Sequence, residues 1–163
     1  MAVPGENRLG KETSGFLRIG RATLGWERTV LVAAGVGGMQ GMLEDSIRYA
    51  KDREQFGEPI INFQAIQDKI ARVRMKIDAS RLLLYMSAMK KDKGEAAPVE
   101  SSIAKLHSTD ALMEAAYELG QIHGGYCFVH EYPVERFYRD SRLSTLGGGT
   151  SEVMRSIIAA NYK

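Results

Sequence analysis

Cysteine is nearly missing: the 163 residues carry one, Cys127. A lone cysteine closes no internal disulfide, which fits a reducing compartment. No run of about eighteen apolar residues is present, so no helical membrane span is expected. The first residues lack a basic start followed by an apolar core, so no signal peptide is expected. Neither sign of charge dominates, because 22 Lys and Arg face 20 Asp and Glu for a formal net charge of +2. Acids and bases are interspersed, and no basic stripe points to nucleic acid. Strand-like alternation never lasts more than a few residues, and there is no internal repeat. What remains is a soluble, cytoplasmic protein with one domain long enough to bury a core.

What the chain does have is glycine, 17 of them, set among long helical patterns. Met1 to Gly20 holds Pro4, Gly5, Gly10, Gly15 and Gly20 without a lasting period, and reads as linker or tail. From Arg21 to about Lys51, Leu24, Leu31, Ala34, Met39, Leu43 and Ile47 fall near one another at 3.6 residues per turn. Gly35, Gly37, Gly38 and Gly41 interrupt that helix at about 1 kcal/mol each against alanine, so a closely packed partner helix is expected to offset them. Asp52 to Asn62 reads as a loop. Phe63 to Lys93 forms the second helix, on Phe63, Ile66, Ile70, Val73, Ile77 and Leu84, ended by Gly94. Pro98 opens a third, to about Gln121, with Ile103, Leu106, Ala111, Met113, Tyr117 and Leu119 as its apolar side. Pro133 starts a short helix to about Arg142. Thr150 or Ser151 caps a last one, Ser151 to Ala160, with Glu152 in the acid-favouring first turn. The fold class is all-α, an antiparallel four-helix bundle with additional short C-terminal helices.

Several stretches could carry chemistry. In Asp52-Arg53-Glu54-Gln55-Phe56-Gly57, an arginine at a helix end before a turn can grip a phosphate bidentately, or it can cap the last carbonyls. In Gln121-Ile-His-Gly-Gly125, consecutive glycines let backbone N–H groups approach an anion, or they make only a turn. A lone His123 within it reads as structural. Glu131-Tyr-Pro-Val-Glu-Arg-Phe-Tyr-Arg-Asp140 reads as a short helix pinned by pairs such as Arg136 and Asp140. Gly147-Gly-Gly-Thr-Ser-Glu152 leads into the last helix. Trp26-Glu27-Arg28 places an acid in the first turns of the first long helix, where it can also serve the helix dipole.

Taken together, these motifs resemble the C-terminal, FAD-binding helical domain of the acyl-CoA dehydrogenases over nearly the whole chain. The pattern is most similar to the isovaleryl-CoA and long-chain types. The resemblance implies residues 1–20 as a linker from a middle β-domain and 21–163 as the bundle, with the N-terminal and middle domains absent. It implies FAD as cofactor: Arg53, with Gln55 and Phe56, at the pyrophosphate; Phe63 and Gln64 at the adenine and ribose; Gln121, Gly124 and Gly125 serving the FAD of a neighbouring subunit; and Thr150 and Glu152 at the flavin end and adenosine portion. The position that carries the catalytic glutamate in many members is Gly148 here. The resemblance therefore assigns the base to Glu27, with Arg28 and Gly149 as substrate contacts and no metal. Two positions depart from the pattern. Cys127 stands where glycine is usual, and Gly25 stands where an aspartate usually contacts the CoA arm. The implied reaction is α,β-dehydrogenation of an acyl-CoA thioester, inactive in the isolated chain. The implied partners are a homo-oligomer (dimer or tetramer) and an electron-transferring flavoprotein. The alternative is a non-catalytic oligomerisation or binding module from the same family.

Overall fold

A computed structural model describes residues 3–162. Five α-helices follow one another: α1, Arg21–Asp52; α2, Gln64–Asp92; α3, Pro98–His123; α4, Pro133–Ser144; and α5, Ser151–Ala160. The all-α expectation holds. The first three helices run antiparallel. Thr29 and Ser87 share a buried hydrogen bond of 2.9 Å between α1 and α2, and Lys69 reaches Glu118 across α2 and α3 at 2.7 Å. α3 is central and packs on all four others. Helical backbone begins earlier than Arg21, because a π-helical turn over Phe16–Gly20 runs straight into α1.

A helix surrounded on several sides needs small side chains to let its neighbours approach. α3 accordingly buries Ala104, Ala111, Ala115 and Ala116 beside Leu112, Leu119 and Ile122. The expected apolar side of this helix is thereby corrected: Tyr117 is 52 % exposed, and Ile103, Leu106 and Met113 are only half-buried. The face expected for α1 stands at Met39 and Leu43 and shifts in the helix's first half. Val32, Val36, Met39, Met42 and Leu43 are buried, while Leu31 and Ala34 are exposed. The α2 stripe stands, with Val73 and Ile77 fully buried. Of the α1 glycines, a Cβ on Gly35 would lie 3.5 Å from Leu112 and one on Gly38 3.5 Å from Phe137. Gly37 and Gly41 have open space instead, so close packing within this chain accounts for only half of the set.

The helix ends follow their chemistry. Gly94, at φ +80°, lets α2 close with Glu95 N–H donating to the Lys90 carbonyl and Gly94 N–H to that of Lys91, a Schellman arrangement. Thr150 accepts from the Val153 amide at 3.4 Å and caps α5. The stretch read as a loop after α1 is a tight antiparallel hairpin, pairing Glu54 with Pro59 and Gln55 with Glu58. Its central residues Phe56 and Gly57 have φ of 55° and 86°, the double positive φ of a type I′ turn. The Arg136–Asp140 pair does not form. Glu135 instead holds Arg139 at 3.1 Å, and acid four residues before base is the better orientation on a helix.

Candidate functional site

The sequence-identified residues fall into two clusters, one at each end of α1. Helical rise separates Arg28 from Arg53 by about 37 Å along that helix.

At the C-terminal end, Arg53 caps α1 through its amide, which donates to the Tyr49 carbonyl at 2.8 Å. The hairpin then returns, and Ile60 N–H donates to the Arg53 carbonyl at 2.8 Å. Tyr49, Arg53, Gln55, His123, Gly124 and Gly125 line an open groove of about 500 Å³ there. Its walls are aromatic. Tyr49 stacks on His123 at 4.5 Å and 24°, and Tyr126 stacks on Tyr132 at 4.6 Å and 26°. Burial pushes the Tyr49 phenol up, with Arg53 pulling the other way. Burial likewise pushes the His123 imidazole down. Gly124, at φ 59° and ψ −133°, takes a backbone conformation that suits glycine.

Arg53 is exposed and has no carboxylate within 4 Å among the described residues. A free guanidinium beside two glycine amides is a donor set for an anion such as a diphosphate. Phe56 is 96 % exposed and meets Phe63 edge-on at 6.1 Å. Gln64 is exposed at the start of α2. The structure does not bring Gln121 into this groove, because Gln121 lines a separate cleft with Cys127 and Tyr138.

At the other end, the Gly147–Gly149 loop is strapped to the bundle by two cations. Arg28 Nε donates to the Gly148 carbonyl at 3.0 Å, and Lys105 Nζ to that of Gly149 at 2.7 Å. Both side chains are desolvated, which pushes their pKa values down. Gly148 and Gly149 have φ of 68° and 113°. A Cβ on Gly149 would sit 2.7 Å from Met154 Cε, and the positive φ strains any side chain there whatever the space. Thr150 and Glu152 follow at the start of α5. The Glu152 carboxyl is held down by its own amide and then by the Thr150 hydroxyl, and its carboxylate lies 3.5 Å from Arg155.

Arg28 therefore points at the loop backbone. Glu27, its neighbour, is exposed and has no ion pair or hydrogen bond among the described residues. Lys105 is a site residue that the sequence reading missed. Its signal was a lysine on a face whose neighbours Ala104, Ser108 and Leu112 are all buried. No cluster of three metal-ligating side chains occurs among the described residues, and no helix is long and apolar enough to cross a membrane.

Residues 13–163 match the family profile described as "Acyl-CoA dehydrogenase, C-terminal domain". The chain belongs to the acyl-CoA dehydrogenase family and is its C-terminal helical domain. It is similar to the caffeyl-CoA reductase–Etf complex subunit CarC of Acetobacterium woodii, 41% identical over 157 residues, covering 96% of this chain and 41% of that protein. It is similar to the 3-(aryl)acrylate reductase of Clostridium sporogenes, 40% identical over 153 residues, covering 94% of this chain and 40% of that protein. The solved butyryl-CoA dehydrogenase of Megasphaera elsdenii superposes with a TM-score of 0.92 at 39% identity, covering 98% of this chain and 42% of that one. The chain spans about two-fifths of the length of the curated relatives it matches.

Proposed function

We propose that this chain, residues 21–163 as the bundle and 1–20 as its linker, holds FAD for α,β-dehydrogenation of an acyl-CoA thioester. The observation that carries the reading is the separation of the two clusters. No single dinucleotide spans about 37 Å of helix, yet one cluster suits a diphosphate and the other presents a carboxylate beside a glycine loop. A dinucleotide is therefore shared, its diphosphate on Arg53, Gly124 and Gly125 of one copy and its flavin end near Thr150 and Glu152 of a second. This makes a homo-oligomer, at least a dimer, part of the proposal. Gln55, Phe56, Phe63 and Gln64 shape the adenosine side of the groove, and Gln121 supports the chain leading to it.

Bound FAD supplies the hydride acceptor for the β-hydrogen. Glu27 takes the α-proton, since Gly148 has no side chain with which to do so. Arg28 and Lys105 fix the glycine loop against α1 and α3, so that Gly149 presents its backbone to the thioester while water is kept from the α-carbon. An electron-transferring flavoprotein is the acceptor we assign, supported by the Etf complex in the name of the CarC relative. Cys127, free in this structure, supports a cytoplasmic setting.

Titration of the chain with FAD, followed by flavin fluorescence, tests the groove. Arg53→Ala should weaken binding at least about tenfold, the size of one charge-assisted hydrogen bond. Unchanged affinity would remove Arg53 from the site.

A further inference from the structure

Lys105 is 2 % exposed, and no carboxylate lies within 4 Å of its ammonium among the described residues. An ammonium has three N–H donors, and the one acceptor found for this one is the Gly149 carbonyl at 2.7 Å. The charged groups around it are Arg28 of α1, Asp110 of its own helix and Glu152 of α5. Asp140 of α4 stands across a hollow of about 290 Å³ that Leu31 and Lys105 also line. Packing a loop against α3 does not require a charge, and an apolar side chain of the same length would do so without desolvating an ion. The charge has another use.

The carbonyl it meets points to that use. No peptide bond among the described residues is cis, so each peptide sets its N–H opposite its carbonyl. A cation on the Gly149 carbonyl polarises that peptide and sharpens the Thr150 N–H on its far side. Arg28 acts in the same way one peptide earlier, on the Gly148 carbonyl and hence on the Gly149 N–H. Neither amide has an acceptor among the described residues. Two consecutive donors are thus strengthened from behind and left free in front.

We infer that Lys105 is a positioning residue for the proposed reaction, its charge acting through the Gly149–Thr150 peptide to strengthen the Thr150 N–H as a donor to the thioester oxygen. That oxygen gains negative charge as the α-proton passes to Glu27 and the C–H electron pair is drawn into the thioester carbonyl. The inference rests on the reading of Glu27 as the base.

The first measurement needs neither flavin nor thioester. In carbon-detected spectra of the labelled chain, one peak joins the Gly149 carbonyl carbon to the Thr150 nitrogen. Desolvation holds the Lys105 ammonium below the ordinary lysine range, so this peak should shift as pH rises, with a midpoint below the usual ~10.4. The peak joining Gly148 to Gly149 lies under Arg28 and should move little, because a guanidinium keeps its proton. Lys105→Met should abolish the titration of the first peak.

The second measurement is flavin reduction by acyl-CoA, with the chain joined to the N-terminal and middle domains of a relative. The rate should be full below that midpoint and fall about tenfold as pH rises through it, less than the loss of a whole oxyanion donor. Lys105→Met should be about tenfold slower at neutral pH with FAD still bound, and should lack the alkaline fall. A wild-type fusion that reduces no flavin would overturn the proposed function and this inference with it. A Gly149–Thr150 peak that does not titrate, equal movement of the Gly148–Gly149 peak, or an alkaline fall that survives in Lys105→Met would overturn the role of Lys105 alone.

Discussion

Acidification should destabilise the fold through His123. Its ring is 5 % exposed, stacks on Tyr49, and has Nδ1 2.9 Å from the Leu119 carbonyl. A carbonyl only accepts, so Nδ1 carries the proton and Nε2 is bare. Burial holds the imidazole below its ordinary pKa, with the Leu119 carbonyl and Asp45 opposing. A free histidine titrates near pH ~6.5. Between that pH and the lower folded value, the unfolded chain binds more protons than the folded one. Stability is therefore full above the unfolded pKa, falls as pH drops through the window, and levels off below the folded pKa. One proton limits the slope to about 1.4 kcal/mol per pH unit. Urea melts followed by circular dichroism from about pH 7.5 down to about 5.5 measure it. His123→Phe keeps the stack and loses one hydrogen bond, about 1 kcal/mol, and should remove the slope. A slope surviving in full in that variant, or stability rising with acid, would refute the account.

The glycine loop gives two further expectations. Gly149→Ala meets both a positive φ and Met154 Cε at 2.7 Å, and should cost about 1–3 kcal/mol in a urea melt. Lys105→Met removes a buried charge together with its bond to Gly149, so global stability should stay within about 1 kcal/mol. Amide exchange over residues 147–150 should rise in that variant, and unchanged exchange would show that Lys105 does not hold the loop.

Helix borders were legible wherever one residue type decides them: Pro98, Pro133 and Gly94 stand at the starts and end expected of them. Burial was harder. Counting large apolar residues chose the wrong face on α3, because a central helix buries alanine and serine. The same counting placed Leu31 inside α1, whereas it stands at the mouth of a hollow. The motifs named Arg53 and the Gly124–Gly125 pair separately, the pair for a neighbouring subunit's cofactor, and the structure brings them to one groove. Spacing alone could not show that Gln121 turns to another cleft, nor that Arg28 binds the loop backbone. Lys105 was hidden because its role depends on a carbonyl 44 residues away. The type I′ hairpin was missed because phenylalanine rarely takes a positive φ.

The central claim is that Glu27, not the loop, supplies the base. The direct measurement is the rate of flavin reduction by acyl-CoA, followed by stopped flow, with this chain fused to the N-terminal and middle domains of a relative. Glu27→Gln keeps size and polarity but accepts no proton. It should slow flavin bleaching at least about 10²-fold while FAD stays bound, because Arg53 and the Gly124–Gly125 turn are untouched. Bleaching at a near-normal rate with FAD bound would contradict the assignment and return Glu27 to the role of a helix-start acid.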